Sequence, residues 1–133
     1  MSSGDVSRVA WFDSRGPEWR ERVFAAMRAL DHEYYLHMQS VRVLQCPADT
    51  IAVGAGQFDA VLEAEIRREF LAALRKGADP EVAGVMTRAA ATVAIVKHNA
   101  HRPNDVHWQR WTGGGQPVID NLVRRFKALE SMP

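Results

Sequence analysis

Only one cysteine, Cys46, occurs in this 133-residue chain. A lone thiol rules out an internal disulfide and fits a reducing compartment. Long hydrophobic runs are missing too. The longest apolar tract, Val82 to Val96, is too short to span a bilayer and is interrupted by Arg88. The opening residues, MSSGDVSRVAWFDSRG, have no cationic start followed by a long apolar run, so no secretory leader is expected. These absences point to a cytoplasmic protein without a membrane partner. An excess of charge is also lacking: 17 Lys and Arg face 16 Asp and Glu, for a net +1. No global field recruits DNA or an anionic membrane, so any electrostatic function must come from clustering. Catalytic signatures are absent as well. There is no Gly-x-Ser-x-Gly elbow, Walker A loop or dinucleotide fingerprint. Nothing in the linear sequence supplies a base to activate Cys46, which reads as a small, partly buried thiol. No cofactor is called for.

What is present is an ordinary globular composition, 47% hydrophobic and 25% charged, in one domain's length. Residues 17–133 read as an all-α, single-domain bundle of four main helices, preceded by an extended arm or tail over 1–16. A chain of this size buries about two-thirds of its unfolded surface without a disulfide or metal. The apolar patch Val9-Ala-Trp-Phe12 suits a tail tied down by Trp11 better than an arm inserted into a neighbouring subunit. From Pro17 to Gln45, apolar residues recur at Trp19, Val23, Met27, Leu30, Tyr34, Met38, Val41 and Leu44, a single helical stripe. Arg28, His32, Tyr35, Gln39 and Arg42 form a second, polar stripe. Gly54 and Gly56 suggest a connection, with Ile51-Ala-Val53 as a buried or helical turn.

A second helix is expected over Asp59–Lys76, its core face Phe58, Leu62, Ile66, Phe70 and Ala73 or Leu74, stopped by Gly77. Asp79-Pro80-Glu81 opens a third with a capping carboxylate, a proline and an acid. Its body, VAGVMTRAAATVAIV, is apolar nearly all round, the pattern of a helix buried between others, and Pro103 ends it near His101. Pro117 opens a fourth to about Glu130, with Val118 or Ile119, Leu122, Phe126 and Leu129 facing inward.

Candidate chemistry concentrates between Lys97 and Lys127. Six Lys or Arg stand there against two acids, with three of the five histidines and two of the four tryptophans. Cations around indoles suit a phosphate-bearing polymer: arginine bridges phosphates and an exposed indole stacks on a base. The candidate nucleic-acid-binding residues are Lys97, Arg102, Trp108, Arg110, Trp111, Arg124, Arg125 and Lys127, with Arg28 and Arg42 from the first helix. Trp108 and Trp111 also suit a plug at the open end of a bundle. Backbone amides of Thr112-Gly-Gly-Gly-Gln-Pro117 can cradle a phosphate at a helix start, or simply connect.

His98 and His101, spaced three apart, with His107 and Asp105, form a candidate metal or ligand set, but Pro103 leaves their geometry open. Asp31, His32, Glu33 and His37 lack the Glu-x-x-His spacing of a di-iron bundle and read as a polar face. The pairs Arg67-Arg68 and Arg75-Lys76 are offset by Glu63, Glu65 and Glu69.

A short all-helical chain with scattered arginines such as Arg124-Arg125 and no catalytic motif resembles the small helical subunits of CRISPR effector complexes. That resemblance implies a subunit without enzymatic activity, lining guide and target strands and packing against copies of itself in a larger ribonucleoprotein. The sequence therefore favours a non-catalytic helical subunit that contacts an RNA or single-stranded DNA backbone without reading sequence, together with protein partners and self-association. The alternatives are a protein-interaction module of the antitoxin, chaperone or phage-regulator kind, and a small helical metal- or ligand-binding enzyme using His98, His101 and His107.

Overall fold

The computed structural model describes residues 10–43, 55–101 and 115–131, and places the side chains of residues 10–39, 63–93 and 115–131. Four helices carry the fold: α1 (Pro17–Val43), α2 (Ala55–Arg75), α3 (Pro80–His101) and α4 (Gln116–Lys127). A 3-10 turn at Trp11–Asp13 precedes them and another at Ala128–Ser131 follows. There is no strand among the described residues. The chain is an all-α, single-domain bundle, as its periodicity indicates.

α2 lies between α1 and α3, and α4 packs on α3 and reaches α2. The stripe of α1 buries Trp19, Val23, Met27 and Leu30. They meet Ile66, Phe70, Leu71, Ala73 and Leu74 of α2, Ala83 of α3, and Ile119, Leu122 and Phe126 of α4. Phe70 and Phe126 lie 5.5 Å apart between ring centres. Each fully buried side chain of this size contributes roughly 1.5–3 kcal/mol through surface removed from water, which is why the apolar stripes dictate the arrangement. Tyr34 and Met38 are only half-buried.

The helix ends follow their local chemistry. Asp79 caps α3, its carboxylate accepting the Val82 amide at 2.9 Å. Gly77 ends α2 with a φ of 100°. Its amide donates to the Leu74 carbonyl while the Ala78 amide donates to that of Ala73, the paired bonds of a left-handed helix stop. α2 begins at Ala55 rather than Asp59. Gly56 is thus absorbed into a first turn, because the apolar pattern that follows outweighs one glycine's modest helical penalty. The expectation for Ile51–Val53 lies outside the described residues.

Residues 11–15 dock on the body of the same chain. Trp11 packs edge-on against Trp19, with ring centres 4.9 Å apart, and Phe12 meets Phe24 at 5.1 Å. The Trp11 indole N–H donates to Glu130 Oε1 at 3.1 Å, and its amide donates to the Gly77 carbonyl at 3.1 Å. Arg15 lies 4.3 Å over the Trp19 ring and donates to the Glu130 carbonyl at 3.0 Å.

One expectation is overturned. α3 packs against both α2 and α4, yet its side chains described through Val93 are not buried all round. Ala83, Gly84 and Thr87 face inward, while Val82, Val85, Met86 and Val93 are 47%, 70%, 39% and 53% exposed. Hydrophobic content alone cannot separate a helix covered all round from one covered over part of its circumference. Here the small residues sit against the body. At Gly84 an added Cβ would lie 2.6 Å from Val123 Cγ2, so α3 and α4 meet almost backbone to side chain.

Candidate functional site

The cationic residues that the structure describes are largely committed to carboxylates of the same chain. Arg125, on the last turn of α4, reaches Glu33 on α1. Its two terminal nitrogens meet the two carboxylate oxygens at 3.0 and 2.6 Å. Arg67 of α2 approaches the same carboxylate through Nε at 3.5 Å and donates to the Glu63 carbonyl at 3.0 Å. The forked hydrogen bonds from Arg125 hold the Glu33 carboxyl below its ordinary range; partial burial opposes them and loses. Glu33 is thus a three-helix junction.

Lys127 pairs with Glu81 across α4 and α3, and this contact raises the pKa of its ammonium. Arg28 pairs with Glu21 at 3.1 Å on the exposed side of α1. Arg68 is held by Glu65 and Glu69, and Arg75 lies 3.7 Å from Asp31. Arg124 differs. It is exposed near the end of α4 and meets no carboxylate among the described residues.

The remaining candidates are reached only in part. Arg42 lies on α1, and Lys97, His98 and His101 on α3, with their side chains outside the described set. Arg102, Trp108, Arg110, Trp111, His107, Asp105, Cys46 and Thr112–Gly114 lie outside the described residues altogether. Gly115 is the N-cap of α4 in ordinary right-handed backbone, and Gln116 donates to Asp120 at 2.7 Å. Among the described residues no group of three or more His, Cys, Asp or Glu is placed to hold a metal ion. No described helix is long and apolar enough to cross a membrane.

A different surface stands out on α3. Along the outer side of α3, Val82, Val85, Met86, Ala89 and Val93 recur at steps of three and four and share one solvent-facing stripe. Glu81 and Arg88, both exposed, flank it on one edge. The available signal was side-chain size: the described valines and the methionine of this helix fall on the outer side, with Ala89 and Thr92 among them, while Ala83, Gly84 and Thr87 face inward. The smaller set is the one that admits a neighbouring helix.

Chemically, this stripe offers dehydration and shape. Val85 alone leaves most of its side chain in water, and covering the row stabilises a complex at roughly 25 cal/mol per Å² of apolar surface removed. It supplies no nucleophile, acid or ligand.

Protein-family models, curated proteins and solved structures give no match to this chain.

Proposed function

We propose that this chain is a non-catalytic helical assembly module that holds another protein through the outer face of α3. The observation that carries the reading is the exposed row Val82, Val85, Met86 and Val93 on a helix whose other side is fixed in the core. Scattered surface hydrophobes are unremarkable, but a continuous helical stripe marks a docking surface. Three cations from the preferred nucleic-acid set, Arg28, Arg125 and Lys127, are matched by carboxylates in the same chain. That matching moves the protein-interaction reading ahead of the polyanion one.

The test is a photo-crosslinking amino acid at position 85, in cells expressing the full chain. A discrete protein adduct is the expected product. RNA adducts alone, or no discrete adduct, would sink the reading.

A second reading keeps one specific support. Arg124 is exposed without a carboxylate among the described residues, and it belongs to the same stretch as Lys97, Arg102, Trp108, Arg110 and Trp111. In that reading the chain contacts an RNA or single-stranded DNA backbone inside a larger ribonucleoprotein. Fluorescence anisotropy across a salt series checks it. Arg124→Glu should weaken binding and flatten the salt slope, since each neutralised phosphate releases counterions.

A further inference from the structure

The edge of the α3 stripe narrows what covers it. Glu81 and Arg88 are seven residues apart, two helical turns, so they occupy the same edge with opposite signs. Beside them, Val82, Val85 and Ala89 follow the three-and-four spacing of a helix–helix seam. Met86 and Val93 form the opposite edge, which carries no charge over the described side chains.

We propose that the occupant is a second copy of this chain, docked through α3 in an antiparallel two-fold contact. In it, Glu81 and Arg88 of one copy face Arg88 and Glu81 of the other. The proposal rests on the protein-docking reading of this face and names its partner.

The orientation follows from which edges meet. In a parallel pair, the charged edge of one helix meets the opposite edge of the other. Glu81 and Arg88 would then face Met86 and Val93, an unpaired charge against an apolar chain. In an antiparallel pair related by a two-fold axis, like edges meet. The register that sets Glu81 across from Arg88 also sets Val82 across from Val85, and repeats both contacts through symmetry. Sliding the copies to centre on Ala89 would cover more of the stripe, but would bring the two Arg88 side chains together. Charge therefore selects the register near Val82 and Val85. Lys127 already holds Glu81, yet a carboxylate has about four acceptor sites and accommodates both cations.

The contact is small. About ten residues of each helix overlap, roughly 15 Å of length. That falls short of the roughly 800 Å² per partner of a standard interface. The dimer is accordingly weak and forms by mass action at high local concentration.

Sedimentation of the purified full chain from micromolar to millimolar concentration tests this. The parent should shift from monomer to dimer. Val85→Asp should abolish the shift. Arg88→Glu should weaken it about tenfold by setting acids against Glu81. The double change Glu81→Arg with Arg88→Glu should restore it to within about threefold of the parent, because each pair again holds opposite signs. Circular dichroism and melting of every variant, with Lys127→Gln as a separate control, show that the fold survives loss of the internal pair. A parent that stays monomeric throughout, or a double variant no better than Arg88→Glu, overturns the proposal. A monomeric parent whose position 85 still crosslinks a different protein would overturn the self-docking inference and leave the docking reading standing.

Discussion

Arg125 holds Glu33 by both carboxylate oxygens, at 3.0 and 2.6 Å, and so ties the last turn of α4 to the middle of α1. The pair is only half-buried, so water screens part of its attraction. Arg67 on the same carboxylate adds a third helix to the junction.

Acid should release this junction. The Glu33 carboxyl has a lower pKa folded than its ordinary 4.5. Its contribution to stability is therefore present above that value and is lost as pH falls through the folded pKa. Urea unfolding of the parent between pH 7 and pH 3 should show a loss that Glu33→Gln lacks. At neutral pH, Glu33→Gln and Arg125→Ala should each cost about 1–2 kcal/mol, with the double variant costing less than their sum. Additive costs would mean that the residues act separately.

Gly84→Ala should destabilise the protein by about 1–3 kcal/mol despite alanine's better helical propensity. The reason is the 2.6 Å approach to Val123 Cγ2. β-Branched valine has little rotamer freedom with which to yield. Val123→Ala in the same chain should recover part of the loss. Thermal melts of the three variants measure it, and a Gly84→Ala variant as stable as the parent would contradict the close approach.

Trp11→Ala should lower stability by about 2–4 kcal/mol, through the lost edge-on contact with Trp19 and the lost hydrogen bond to Glu130. Trp11→Phe should retain most of the packing but forfeit the indole donor, costing about 1 kcal/mol. Chemical denaturation followed by far-ultraviolet dichroism separates the two contributions.

Much of the bundle was legible in the sequence because its signals are local. The stripe Trp19-Val23-Met27-Leu30 sits in the core, Asp79 caps the third helix, and Gly77 stops the second. Each is decided by residues within a few positions of one another. What was not legible depends on pairing between distant segments. Arg125 looked like a free cation because Glu33 lies 92 positions away, and Lys127 because Glu81 lies 46 away. The burial of α3 was misread for a related reason. Its valines and alanines are equally apolar in sequence, and the packing of α2 and of α4 at Gly84 decides which side is covered. The tryptophan and histidine candidates of the 102–114 stretch lie outside the described residues.

The tight seat of Gly84 against Val123 also governs whether α3 can rotate about its own long axis. Turning the helix to tuck Val82 or Val85 beneath its neighbours would drive a branched side chain into space that already lacks room for a single methyl. Among the described residues there is therefore no inexpensive way to conceal those valines. Their wetting is thus built into the seating of α3 and does not depend on a chance rotation of the helix.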